Sequence, residues 1–238
     1  MADRLHLLSN DEKSLLRAGL EASFTVPIID DVEDFVWEAI FHYVKGVRLP
    51  DPITEGRTKQ LFDACADDGR GWSLKTLLWD RQDPGSSFEF VIQRANIFKK
   101  AAELGFPKGL TPRSEVADLG AALIRHWNKK FQTDLASQRV KDPRIAMLLK
   151  NRARDHFVYM EFDYPPLDER DYTWEWSTKE GLGLKGYAAR RVRLKWYHGQ
   201  KQLFQVYEVP VEGYSFNLDW QRASLADFVQ KVRRALAR

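Results

Sequence analysis

Apolar and polar positions along this chain follow two rhythms, and the second takes over near His156. In the first half, helical spacing dominates. A short helix is expected from Asn10 to Leu20, with Asn10 as its cap and Asp11 and Glu12 in its first turn. A second is expected from Asp31 to Gly46, with Val32, Phe35, Val36, Ala39, Ile40, Tyr43 and Val44 on one stripe. Glu38 lies off the centre of that stripe, beside Asp34 and His42. Further helices are expected over 95–104, 114–131, 143–151 and 224–235. From His156 the spacing drops to period two: HFVYMEFDY, YTWEWSTK, RVRLKWYH and QLFQVYEV read as strands.

Between the early helices and the later strands lies a hairpin over 58–79, followed by a strand from Ser87 to Ile92. Its first arm, Leu61 to Cys65, is apolar apart from Asp63; its second, Trp72 to Trp79, encloses Ser73, Lys75 and Thr76. Ala66-Asp67-Asp68-Gly69-Arg70-Gly71 between them is dense in turn formers. With Gly69 at the tip, Asp63 faces Lys75 and Cys65 faces Ser73. Asp63, Ser73, Lys75 and Leu77 then share one face, and Phe62, Trp72 and Leu74 the other.

An acidic group, a lysine and a further carboxylate, Glu89, are the working parts of a metal-dependent phosphodiesterase. In-line hydrolysis of a phosphodiester needs an activated water and neutralised phosphoryl oxygens, and carboxylate-held Mg²⁺ supplies both. Mg²⁺ keeps several waters, so few carboxylates suffice. A lysine beside it positions the water and stabilises the charged transition state. The alternative for Asp63 and Lys75 is a cross-strand ion pair on a solvated face, and for Glu38 an exposed helix carboxylate.

The string GWSLKTLLWDRQDPGSSFEFVIQR resembles the active-site segment of type II restriction endonucleases of the PD-(D/E)XK superfamily. It is most similar to the subgroup that cuts CCGG-centred sites, where serine replaces the glutamate before the lysine and a downstream glutamate takes over its metal-binding role. The resemblance implies an α/β restriction-endonuclease-like core, a central mixed sheet flanked by helices, with additional C-terminal strands. It assigns Asp63 and Glu89 to a Mg²⁺ ion, Lys75 to the water, Ser73 to the vacated acidic position and Glu38 to support of the metal site. The chain departs from the subgroup in three places: Phe62 stands where the superfamily has proline, the Asp63–Lys75 gap is short, and Trp79-Asp80-Arg81-Gln82-Asp83 replaces its guanine-reading run. The implied activity is Mg²⁺-dependent, sequence-specific cleavage of double-stranded DNA by a cytoplasmic prokaryotic homodimer with a cognate DNA methyltransferase. Two alternatives remain open: a repair or methylation-dependent nuclease of the same superfamily, and a non-catalytic DNA-binding protein of the same fold.

Composition narrows the classes. The 238 residues, 44% hydrophobic and 30% charged, suit a single folded domain over 1–238, or one with a recognition extension over 156–238. The N-terminus lacks a signal-peptide pattern and no apolar run is long enough to span a membrane. Cys65 is alone, and the five histidines show no zinc-ligand spacing. No glycine-rich phosphate loop or nucleophile elbow is present. Net charge is +3, so the distribution of charge matters more than its sum. Ala189–Lys201, ARRVRLKWYHGQK, interleaves Arg190, Arg191, Arg193 and Lys195 with Trp196 and Tyr197. These, with Arg81 and Arg94, are the candidate DNA contacts; the alternative for 189–201 is an ordinary solvated strand. The basic C-terminal helix is read as dipole complementation. Glu161 and Asp163, and Glu175 with Lys179, form a rival acidic cluster read as structural or DNA-positioning. His126 reads as a core or boundary histidine.

Overall fold

The structure, a computed structural model, describes residues 4–27, 29, 31–48, 60–178 and 183–237. In chain order the elements are α1 (Asn10–Thr25), α2 (Asp34–Lys45), β1 (Ala64–Cys65), β2 (Arg70–Leu78), β3 (Ser87–Arg94), α3 (Val116–Ser137), β4 (Asp142–Lys150), β5 (His156–Asp163), β6 (Thr173–Trp176), β7 (Gly183–Ala188), β8 (Arg191–Tyr197), β9 (Gln202–Glu208), β10 (Tyr214–Asn217) and α4 (Leu225–Leu236). The protein is α/β, with one mixed and one antiparallel five-stranded sheet. Two compact units are interleaved along the chain: Met1–Pro84 with Gln138–Tyr164 and Pro210–Arg238, and Gly85–Ser137 with Pro165–Val209. Among the described residues no helix is long and apolar enough to cross a membrane.

In the first unit the sheet runs β1-β2-β4-β5-β10, with β2 and β4 parallel and the other pairs antiparallel. The helix expected over 143–151 is therefore a strand. Its run Ile145-Ala146-Met147-Leu148-Leu149 is fully buried, because β4 lies between two neighbours and is covered on both faces. Such a strand loses alternation and reads as a continuous apolar run, here of good helix formers. Helices α1 and α2 cover one face, burying Leu16, Leu20, Phe24, Trp37 and Phe41 against Trp72, Leu74, Leu148 and Tyr159. The cap of α1 is Ser9 rather than Asn10, in a reciprocal capping box with Glu12. On α2 the buried face is turned from the expected stripe: Trp37 and Phe41 point inward while Phe35 and Tyr43 are exposed. Trp37, larger than any residue of the expected stripe, turns the helix inward, and Phe41 follows it one turn on. Gly46, at φ 64°, ends α2 as expected. At its other end Lys150 anchors the approach to the helix, donating to Asp31 at 2.7 Å and to the Val32 carbonyl at 2.6 Å.

In the second unit the strand order is β3-β9-β8-β7-β6, all antiparallel. One face is core: Leu184, Leu194, Trp196 and Leu203 are all 1% exposed or less. Helix α3 runs further than expected, to Ser137, and Gly120 on it leaves room for the Trp174 indole. The helix expected over 95–104 is two short 3₁₀ turns, Phe98–Lys100 and Ala102–Leu104.

A backbone approach in the first unit sets the start of β2. A Cβ added at Gly71 would lie 2.4 Å and 2.8 Å from the two methyls of Val140. Val140 is β-branched and has little rotamer freedom with which to retreat. Gly71→Ala is therefore expected to destabilise the protein by ~1–3 kcal/mol through overpacking, read as a lower urea midpoint. An unchanged midpoint would mean the β2–Val140 contact is loose.

Candidate functional site

The hairpin that carries Asp63 and Lys75 closes with a three-residue loop. Ala66 N–H donates to the Arg70 carbonyl at 2.9 Å, and Gly69 follows the turn at φ 92°. A type I turn followed by a left-handed glycine is a standard solution for this length, and it makes Gly69 the last loop residue rather than the tip. The register consequently differs from expectation: Ala64 pairs with Trp72 and Cys65 with Gly71, not with Ser73. The shift is by two residues, so the alternation of faces survives. The portion of the hairpin before Gln60, including Lys59, lies outside the described residues.

The short β1 leaves the edge of β2 without a strand partner beyond Trp72 among the described residues. N–H and C=O of one strand residue point to the same side, and unpaired edge groups need other partners. At Leu74 those partners are Asp63 and Lys75. The Leu74 N–H donates to Asp63 Oδ2 at 2.7 Å, and Lys75 Nζ donates to the Leu74 carbonyl at 2.9 Å. Lys75 Nζ is also 4.0 Å from Asp63 Oδ2, with the two side chains 29% and 27% exposed. A carboxylate and an ammonium are thus fastened to the N–H and the C=O of a single residue, Leu74, at the edge of a mixed sheet. The negative charge reaches neighbours: burial first, then Asp63, raises the pKa of both the Cys65 thiol and the Tyr164 phenol.

Ser73 is fully buried, and its hydroxyl has no hydrogen-bond partner among the described residues. An unsatisfied buried hydroxyl is costly, so a partner at this position would be stabilising. Glu38 is half-buried on α2. Glu89 belongs to β3 in the second unit, paired with Val206. Its carboxylate accepts from Lys195 Nζ and, at 3.5 Å, from the Tyr197 hydroxyl. Lys195 thus has a carboxylate partner that the sequence reading missed, since the two lie on strands separated in the chain by α3 and four other strands.

The candidate DNA contacts divide between the units. Arg81 is exposed in the loop after β2, and Arg94 is exposed at the end of β3. Arg190 sits with Ala189 in the two-residue turn joining β7 to β8, both at positive φ (64° and 49°). That turn usually takes Asn-Gly, so two side chains are held there against a steric preference. Arg191 pairs with Glu208, while Arg193 and Lys195 follow on β8.

The rival acidic residues are engaged in the fold. Glu161, 1% exposed, accepts from the Trp72 indole at 2.8 Å, Tyr159 at 2.6 Å and Arg144 at 2.9 Å, and lies 3.0 Å from Lys45. Burial pushes its carboxyl up, but Lys45 and these donors outweigh burial and hold it at about 2. Asp163 bonds His6 at 2.6 Å. Glu175 is exposed on β6 opposite Lys185, and Lys179 lies outside the described residues. His126 is buried in α3, its pKa lowered by burial and then by Lys100.

Among the described residues no group of three or more His, Cys, Asp or Glu side chains gathers to hold a metal ion. Asp63 provides the hard oxygen donor that Mg²⁺ prefers, and such an ion fills most of its octahedron with water. The first unit's donor therefore fits Mg²⁺ in kind, while the Glu89 carboxylate of the second unit is engaged by Lys195. No family model, curated protein or solved structure matches this chain.

Proposed function

We propose that this protein is a Mg²⁺-dependent endonuclease that cuts double-stranded DNA at specific sequences, built on a restriction-endonuclease-like core. The observation that carries the reading is the placement of Lys75 Nζ 4.0 Å from Asp63 Oδ2 at the uncovered edge of β2. The parallel β2–β4 pair with flanking helices supports the core.

In this reading Asp63 holds the ion and Glu38 supports the site; Glu89, which the resemblance also assigns to the metal, lies on β3 of the second unit. When bound, Mg²⁺ neutralises phosphoryl oxygens and lowers the pKa of a water. The chain does the rest. Lys75 donates to the attacking water or to the phosphoryl oxygen on which charge develops, while the Leu74 peptide holds the Asp63 carboxylate in place. Ser73 marks the position vacated by an acidic residue. Arg81, Arg94, Arg190, Arg191, Arg193 and Lys195 supply cations for DNA. A two-fold symmetric target favours a homodimer, and a cognate DNA methyltransferase is the functional partner of such an enzyme.

The test is digestion of unmethylated phage DNA by the purified protein, with Mg²⁺ and with EDTA. Discrete fragments only with Mg²⁺ are expected. A smear would assign a nuclease with another target, such as a repair enzyme. The satisfied Glu89–Lys195 and Asp63–Leu74 contacts favour a second reading, a non-catalytic DNA-binding protein of this fold. That reading predicts binding without cleavage on methylated and unmethylated DNA alike.

A further inference from the structure

The antiparallel sheet of the second unit has a second face, and its composition differs from that of an ordinary solvated sheet. Side chains alternate along each strand, so the neighbours of the buried Leu184, Leu194, Trp196 and Leu203 point the other way. Register places Lys185 beside Lys195 and Lys195 beside Phe204. Tyr187 and Tyr197 extend the same face along β7 and β8; Arg193 is the extra residue of a bulge beside it, between the Gly186–Leu194 and Tyr187–Val192 pairs, and all six residues are half-buried. Tyr197 and Phe204 meet edge to face, ring centres 5.2 Å apart at 87°. A solvated face normally carries polar residues opposite a core face; this one carries three aromatic rings among three cations.

The charges are not mutually neutralised. Lys185 stands directly opposite Lys195, and like charges so placed are destabilising. Lys195 is drawn to Glu89, while Lys185 and Arg193 form no ion pair among the described residues. Two further carboxylates belong to this face: Glu175 is opposite Lys185 in register, and Glu208 is paired with Arg191. A polyanion that brought phosphates to Lys185 and Arg193 would relieve the repulsion.

We infer that this face of the second unit binds single-stranded nucleic acid, with bases laid on Tyr187, Tyr197 and Phe204 and phosphates on Lys185, Arg193 and Lys195. A duplex keeps its bases stacked on one another and offers a sheet face its phosphates and groove edges but no π-face. An unpaired strand offers both phosphates and π-faces, and each stacked base contributes separately. The inference takes Arg193 and Lys195 from duplex phosphates to those of a single strand, and it stands without the nuclease reading.

Fluorescence anisotropy of the full chain in EDTA tests it, with a fluorescein-labelled oligothymidylate and a mixed-sequence duplex of equal length. The single strand is expected to bind at least ~10-fold more tightly, and Tyr187→Leu with Tyr197→Leu to weaken it by ~10-fold or more. Arg193→Gln is expected to flatten the log–log salt dependence by ~0.7. Equal or tighter duplex binding, no binding to the single strand, or undiminished binding by folded tyrosine variants would overturn the proposal. If thermal melting shows the tyrosine variant unfolded, Arg193→Gln decides, and an unchanged salt slope counts against the site. No cleavage is measured, so failure of the nuclease reading leaves this result intact.

Discussion

Glu161→Gln is expected to lower the unfolding free energy by ~3 kcal/mol, a large share of the ~5–15 kcal/mol typical of a folded domain. The glutamine keeps the shape and some hydrogen bonds, but removes the charge that neutralises two largely buried cations. Lys45 and Arg144 have side chains only 8% and 15% exposed, and each keeps one other carboxylate, Glu12 at 3.0 Å and Asp142 at 2.6 Å. Those outer partners keep the cost at the lower end of the range for breaking a buried pair. Replacing the pair together, Glu161→Met with Lys45→Met, is expected to recover much of the loss, because well-packed apolar groups avoid the desolvation of both ions. A loss below ~1 kcal/mol for Glu161→Gln in urea melts would show that Glu12 and Asp142 neutralise the cations unaided.

The same group sets an acid limb. Its folded pKa is depressed to about 2 from an ordinary value of 4.5. A depressed carboxylate contributes stability that is fully present above the unfolded pKa and is lost as pH falls through the folded one. Stability is therefore expected to fall by ~3 kcal/mol as pH goes from about 5 to below 2. In Glu161→Gln that part of the acid limb should be absent. If wild type and variant lose stability in parallel over that window, other carboxylates carry the acid transition.

This network also shows what the sequence could and could not display. The hairpin, the glycine stop of α2 and the alternating strand β8 are local patterns, legible because each carries its period within one segment. Strand β4 is illegible as a strand because burial on both faces erases the alternation. The Glu161 network draws Lys45, Trp72, Arg144 and Tyr159 from four separate elements, and no spacing rule connects them. Asp63 and Lys75 were legible as neighbours because one hairpin joins them, yet their shared hold on Leu74 depends on how short β1 is. The interleaving of the two units is similarly hidden. Three of its four crossings fall at Pro84-Gly85, Tyr164-Pro165 and Val209-Pro210; Pro165 and Pro210 follow closely on the ends of β5 and β9, where a missing donor stops a ladder, but a proline alone does not say which unit the chain enters next.

Lys75→Ala is expected to lower the rate of Mg²⁺-dependent DNA cleavage by ~100–1000-fold, the usual consequence of removing one preorganised donor to developing charge. Its effect on stability should be small, below ~1 kcal/mol, since the ammonium is partly exposed and water can replace it on the Leu74 carbonyl. Asp63→Asn separates the two roles of the carboxylate. The amide oxygen of asparagine still accepts from the Leu74 N–H, so the edge of β2 remains capped and the urea midpoint should hold. The negative charge that attracts a divalent cation is gone, so cleavage should fall at least as far as in Lys75→Ala, and added Mg²⁺ should not restore it. If Asp63 and Lys75 act only as edge caps, the pattern inverts: Asp63→Ala, which loses the acceptor, destabilises the hairpin, while Asp63→Asn behaves as wild type in every assay. Cleavage by Lys75→Ala and Asp63→Asn at the wild-type rate would place the chemistry elsewhere in the molecule. It would leave the carboxylate and ammonium at Leu74 as a side-chain substitute for a missing strand.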